Sequence, residues 1–301
     1  MSRPMQSVRN SSDKKTWVWI DTSDKLKNAL EDISGSSNIS VDTEYDSLRY
    51  FREVLCLIQI AAERNTYLFD PFDRFPFSFL GEVFADNSIL KIFHAGDNDI
   101  RILKRDYGFT FTNIFDTQKA AAILGCRHLS LPALVLRHLG IEFEKEKKMQ
   151  RSKWNARPLQ EEQILYAVQD TMYLKALCRV LDQELQQKNL KAKAEKLFEN
   201  MSALTWKEKA FDPHKCKRIK GYEALTEPQQ ACVNRLYRWR FHKAEETNMA
   251  LFRILSDHYI IDLARTGATS VEMLMETEIL SPEKVTLYGQ EIVRIIRQCM
   301  P

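Results

Sequence analysis

The sequence predicts a mixed α/β domain, a sheet flanked by helices, followed by a small all-α bundle. Three observations carry this. Three β-prone runs, Ile39 to Glu44, Val54 to Ala61 and Thr66 to Phe69, follow one another across short polar links, as in an antiparallel meander. From Phe79 to Phe115 the apolar spacing alternates between helical and extended periods, the pattern of a mixed sheet with helices packed around it. From Leu225 onward there is no strand pattern, and the apolar residues recur at helical spacing.

In chain order, Thr16 to Ile20 is a short β-prone run. Thr22 or Ser23 then caps a helix whose buried face is Leu26, Ala29, Leu30 and Ile33. Gly35 to Asn38 breaks the chain before the strand Ile39 to Glu44. Val54 to Ala61 is apolar on both faces and therefore reads as a central, covered strand. Arg64-Asn65 turns the chain into Thr66 to Phe69. Phe79, Leu80, Val83 and Phe84 mark a helix, Ile89 to Phe93 a strand, Ile100 and Leu103 a helix, and Phe111 to Phe115 a strand. After Asp116 the pattern is helical, with a stop at Gly140. Pro158 suits the first turn of a long helix running through Tyr166, Asp170 and Leu177. In the last segment Val233, Leu236, Leu255, Ile260, Ile261, Ala264, Ile292, Ile295 and Ile296 are candidate core.

This divides the chain into a disordered leader over 1–15, an α/β domain over 16–187, a basic linker over 188–224 and a helical domain over 225–301. The chain has 301 residues, 44% hydrophobic and 28% charged, which is ordinary globular composition. The net charge is only +3, but Lys188 to Lys220 holds ten Lys/Arg against four Asp/Glu, a plausible contact for a polyanion or a solvated helix face. The six cysteines form no C-x-x-C pair, which argues against a zinc ribbon and for a reduced, cytoplasmic setting. No apolar run reaches the roughly 18 to 20 residues that span a bilayer, so no membrane partner is expected. The absence of G-x-x-x-x-G-K-[ST] excludes P-loop ATP-driven chemistry, and no nucleoside triphosphate is expected.

The chemistry centres on Asp42-Thr43-Glu44. In a strand the two acids point to one face, where their mutual repulsion calls for a cation, and hard carboxylate oxygens suit Mg²⁺ or Mn²⁺. Taken alone, the pair also fits a solvated loop. Further acids answer it. His94-Ala95-Gly96-Asp97-Asn98-Asp99 leaves a strand and opens a helix, with Asp97 as its N-cap, Asp99 at the core edge and His94 as a strand-end core residue. Tyr166 and Asp170, four apart, share a helix face. Arg151, Lys153, Trp154 and Arg157 could hold phosphates or stack a base, although Trp154 equally fits a packing anchor.

Asp42-Thr43-Glu44, the His94 to Asp99 run, Phe115-Asp116-Thr117-Gln118, Trp154-Asn155-Ala156-Arg157-Pro158-Leu159 and Tyr166 to Asp170 together resemble the motifs of the DEDD superfamily of 3′→5′ exonucleases. The tyrosine four before the last acid marks the DEDDy branch, and the pattern is similar to bacterial ribonuclease D and its nuclear-exosome relative. Arg218-Ile219-Lys220-Gly221, Leu236 to Arg240, Ile254 to Asp257 and Tyr288-Gly289 are similar to an HRDC domain, a helical nucleic-acid-binding module.

The resemblance implies a ribonuclease H-like fold and a metal-dependent 3′→5′ exoribonuclease that releases nucleoside 5′-monophosphates. It implies two divalent cations, Mg²⁺ or Mn²⁺. Asp42 would bridge both, Glu44 and Asp170 would complete the tighter site, Asp99 would hold the second ion through water, and Tyr166 would orient the attacking water. The implied partner is RNA with a free 3′ end, tRNA precursors among the candidates. A DNA-directed exonuclease and a catalytically silent nucleic-acid-binding scaffold are the alternatives. Asp116 matches the pattern as a helix cap. Lys153 departs from it, standing where relatives have Asp, and the chain has room for one HRDC domain where bacterial relatives commonly have two.

Overall fold

The computed structural model describes residues 17–299 apart from 74, 76 and 147, so the expected leader over 1–15 lies outside the described residues. The chain forms two compact units. The first comprises the chain up to Asp46 together with Val54 to Trp206, and the second comprises Ser47 to Glu53 with the chain from Lys207 on.

In the first unit the elements are β1 (Trp17–Trp19), α1 (Ser23–Ser34), β2 (Asn38–Asp46), β3 (Val54–Ala61), β4 (Thr66–Phe69), α2 (Ser78–Ala85), β5 (Leu90–Phe93), α3 (Asp97–Tyr107), β6 (Ile114–Asp116), α4 (Thr117–Ile123), α5 (Leu131–Leu139), α6 (Glu161–Met172), α7 (Leu174–Gln187) and α8 (Lys191–Ser202). The strands form one six-stranded sheet in the order β1-β4-β3-β2-β5-β6. β2, β3 and β4 are the antiparallel meander, while β1 pairs with β4, and β5 with β2 and β6, in parallel. β3 is buried at every residue after Val54, which is why it carries apolar side chains on both faces. A bulge at Glu44/Tyr45 bends β2 at the end of the acidic pair.

Sheet and helices enclose two apolar layers. One gathers Ile33, Ile58, Phe69, Phe84, Phe93, Ile100 and Leu177. The other gathers Cys56, Leu57, Leu68, Trp154, Tyr166 and Ala167. This explains where the helical prediction past Pro158 departs from the structure. The expected single helix breaks at Tyr173, because Tyr166 and Ala167 must face one layer and Leu174 and Leu177 the other. Nor does Pro158 begin that helix: Gln160 caps it, with Gln163 closing the reciprocal box. Phe111 is likewise not strand. Asn113 takes a left-handed φ of 47°, so extended pairing starts only at Ile114, and Phe111 stacks instead on Phe84 at 4.8 Å.

The basic stretch is only partly a connector. α8 packs Ala194, Phe198 and Met201 into the first unit's core, with Phe198 4.8 Å from Phe115 between ring centres. Most of the charge excess lies after that helix, in Lys207 to Lys220, which holds six Lys/Arg against two Asp/Glu.

The second unit is all helical: α9 (Glu227–Thr247), α10 (Leu251–Ile254), α11 (Asp257–Thr266), α12 (Val271–Glu276) and α13 (Pro282–Arg297). Thr226 caps α9 in a reciprocal box with Gln229. Its core contains Val233, Leu236, Ile260, Ile292 and Ile296, together with Phe51, whose ring meets Phe241 edge-on at 5.1 Å.

Candidate metal centre

β2 lies between β3 and β5, and alternation along it places Asp42 and Glu44 on one face. α6 brings Asp170 to the same place. Carboxylate oxygens of Asp42, Glu44 and Asp170 all lie within 4.8 Å of one another. Two full charges at that separation repel by about 3 to 4 kcal/mol at an effective dielectric near 20. Burial holds the carboxyl groups of Asp42 and Glu44 well above the usual carboxylate range, with the charge of Asp99 adding to it at Asp42 and that of Asp42 at Glu44.

Asp99 sits apart from this trio, buried in the first turn of α3, and burial pushes its carboxyl up to about 6. The Thr43 hydroxyl donates a hydrogen bond to it. Thr43 is thus buried, as alternation along the strand demands, but its partner is an acid rather than apolar core. The turn ahead of α3 is anchored from the next strand. Asp116 accepts hydrogen bonds from the main-chain N–H of Gly96 (2.9 Å) and of Lys119 (2.8 Å), the second capping α4. The N-cap of α3 is Gly96, not Asp97. Asp97 lies in the first turn, where the helix dipole favours an acid, and pairs with Lys119 at 3.1 Å. His94 Nδ1 bonds Thr117 at 2.9 Å, and burial lowers its imidazole to about 4, so His94 is a neutral structural residue.

Gly96 has a steric role. A Cβ there would lie 2.6 Å from the Cβ of buried Phe93. Gly96→Ala is therefore expected to cost about 1 to 3 kcal/mol of stability and to displace Asp99, measured by denaturant unfolding.

Tyr166 is 6% exposed, and burial with the charges of Glu44 and Asp42 raises its phenol further above its ordinary range. It stays protonated and hydrogen-bonds the Gln150 side chain. Lys145 completes the cluster. Its ammonium pairs with Asp170, lies 4.7 Å over the Tyr166 ring and counteracts the repulsion at Asp42 and Glu44.

Of the residues expected to touch substrate, only Arg151 and Lys153 are exposed. Trp154 is fully buried, 6.0 Å from the Tyr166 ring, and is the packing anchor rather than a base platform. Arg157 is also structural. It forks onto Asp70, with Nη2 at 2.6 Å, and its remaining donors reach the carbonyls of Cys56, Trp154 and Ala156. The sequence reading missed Lys145, Gln150 and the reach of Thr43 to Asp99. Lys145 stands in the alternating charges of Glu142 to Lys148, where nothing in the pattern selects one lysine.

The donor set fits hard divalent cations: closely spaced carboxylate oxygens with a positive group already among them.

Comparison with known proteins gives concordant results. The 3′-5′ exonuclease family matches residues 17–186, and the HRDC domain family residues 229–296. A ribonuclease D from Desulfotalea psychrophila is 30% identical over 275 residues, 91% of this chain and 73% of that protein. An exosome complex component 10 homolog from Caenorhabditis elegans is 31% identical over 251 residues, 82% of this chain but only 28% of that protein. Among solved structures, Escherichia coli RNase D, described as an exoribonuclease involved in structured RNA processing, aligns with a TM-score of 0.69 at 26% identity, covering 95% of this chain and 76% of that one. The catalytic core of RRP6 from Trypanosoma brucei shares the fold, with a TM-score of 0.86 at 23% identity over 95% of this chain and 80% of that one.

Proposed function

The chain belongs to the 3′-5′ exonuclease family, with an HRDC domain behind the catalytic one, and on that premise we propose that it is a metal-dependent 3′→5′ exoribonuclease. The observation that carries this reading is the convergence of Asp42, Glu44 and Asp170 beside Tyr166, with Asp99 held close by. Asp42, Glu44 and Asp170 would hold one divalent ion, Mg²⁺ or Mn²⁺, and Asp42 with Asp99 a second. When bound, such a pair polarises the scissile phosphate and supplies an acidified water.

The chain's own groups do the positioning. Thr43 fixes the Asp99 carboxyl by donating its hydroxyl to it. Tyr166, protonated at every physiological pH, orients water through its hydroxyl and is not a base. Trp154 and Gln150 hold the Tyr166 ring and hydroxyl in place. Tyr166→Phe is therefore expected to lower kcat about tenfold to a hundredfold while leaving metal affinity unchanged, read by trimming kinetics alongside calorimetry.

RNA is proposed as the substrate because the relatives bear ribonuclease names. The test is a 5′-labelled RNA, a matched DNA strand and a 3′-extended tRNA, each with Mg²⁺ or Mn²⁺. A ladder of shortened RNA is the expected product. Faster trimming of the DNA would move the reading to a DNA exonuclease, and no trimming of any strand would sink it. A reduced, cytoplasmic setting suits six free cysteines, and no helix among the described residues is long and apolar enough to cross a membrane.

A further inference from the structure

We propose that Lys145 is the counter-cation of the metal-free site, and that divalent ions enter by displacing its ammonium from among Asp42, Glu44 and Asp170. This rests on the metal-dependent reading above. Three geometric facts carry it. The Lys145 Nζ pairs directly with Asp170, one of the three acids whose oxygens converge within 4.8 Å. It also lies 4.7 Å over the Tyr166 ring, whose face attracts a cation, so the ammonium is held beside the acids from a second direction. The side chain is only 19% exposed, although it comes from the stretch 141–146, which has no helix or strand.

A cation in that position does what a metal ion does electrostatically, without the metal's chemistry. Its attraction offsets the repulsion at both Asp42 and Glu44. Without it the buried carboxylates face one another uncompensated. With it, an incoming ion must compete with a resident charge, so metal affinity is lower than the acids alone would confer. Phe143 anchors the irregular stretch against Tyr173, at 5.1 Å between ring centres, and the exchange needs only the Lys145 side chain to leave the acids, with no sheet or helix hydrogen bond broken. Lys145 thereby sets the metal concentration at which the site fills.

Two measurements test this. In the first, Lys145→Met keeps the apolar stem against Tyr166 and removes the charge, while Lys145→Arg keeps the charge. Lys145→Met should bind Mg²⁺ or Mn²⁺ about tenfold more tightly by calorimetry. Lys145→Arg, which keeps a resident charge, should bind metal like wild type. Unchanged or weaker metal binding by Lys145→Met would overturn the proposal. The second measurement needs no variant that folds differently. Acetylation of Lys145 in the wild-type protein, followed by peptide mass spectrometry, should be several-fold faster with Mg²⁺ than in EDTA, because the displaced ammonium becomes accessible. Equal rates would overturn it. Wild-type protein that binds metal and trims RNA but shows equal acetylation rates disproves this proposal alone; wild-type protein that binds no divalent ion disproves the exonuclease reading with it.

Discussion

Asp42→Asn is expected to reduce 3′ trimming by at least about a thousandfold, a loss of roughly 4 kcal/mol of transition-state stabilisation. On the proposed two-metal reading Asp42 would serve both ions, and an amide cannot supply the negative charge they would share. A variant that trims within tenfold of the parent would remove the two-metal assignment. The same substitution has an opposite effect on the metal-free fold. The Asp42 carboxyl is raised by burial and by Asp99, so in the folded state it resists ionisation. Below the unfolded-state value near 4 it is neutral in both states and costs nothing. As pH rises through the interval up to the folded value, the unfolded chain ionises and the folded one does not, and stability falls. Asp42→Asn removes that penalty. In EDTA the variant should melt higher than wild type at pH 7, with the gain vanishing near pH 4. Activity and metal-free stability should therefore move in opposite directions, a signature that general misfolding cannot produce.

Trp154→Ala is expected to cost about 3 to 5 kcal/mol, the usual range for truncating a fully buried aromatic residue. In thermal unfolding this corresponds to a fall on the order of 10 °C for a unit of this size. Trp154 fills the layer between β3 and α6 with Leu57, Leu159 and Ala167, and its ring supports Tyr166. Among the described residues its buried indole N–H has no hydrogen-bond partner, so Trp154→Phe should recover most of the loss. A base-stacking role predicts the reverse: stability near wild type in Trp154→Ala, with weaker RNA binding. Unfolding curves and RNA titrations of the two variants decide between them.

These two residues also mark how far the sequence could be read. Asp42 was legible because period-two alternation, a local property, places it with Glu44 whatever the rest of the chain does. The same holds for Tyr166 and Asp170, four apart on one helix. Trp154 was not legible, since an aromatic residue in a polar loop has the same local pattern whether its ring is outside or inside. Its burial depends on α6 closing over β3, a contact between residues far apart in sequence. The break at Tyr173 escaped for a related reason. Helical spacing continues through it, and only the existence of two apolar layers on opposite sides requires the chain to turn.

The sequence alone thus determined the meander, the alternation of helix and strand after it, the helical second unit and the acids that could meet. These follow from short-range periodicity, capping and turn chemistry. Tertiary structure alone decided which acids converge, that Thr43 serves Asp99, that Arg157 is taken by Asp70, and that the ammonium of Lys145 lies among the carboxylates. Those outcomes depend on long-range distances and desolvation. A lysine in a run of alternating charges carries no local mark of the buried acids it will neutralise.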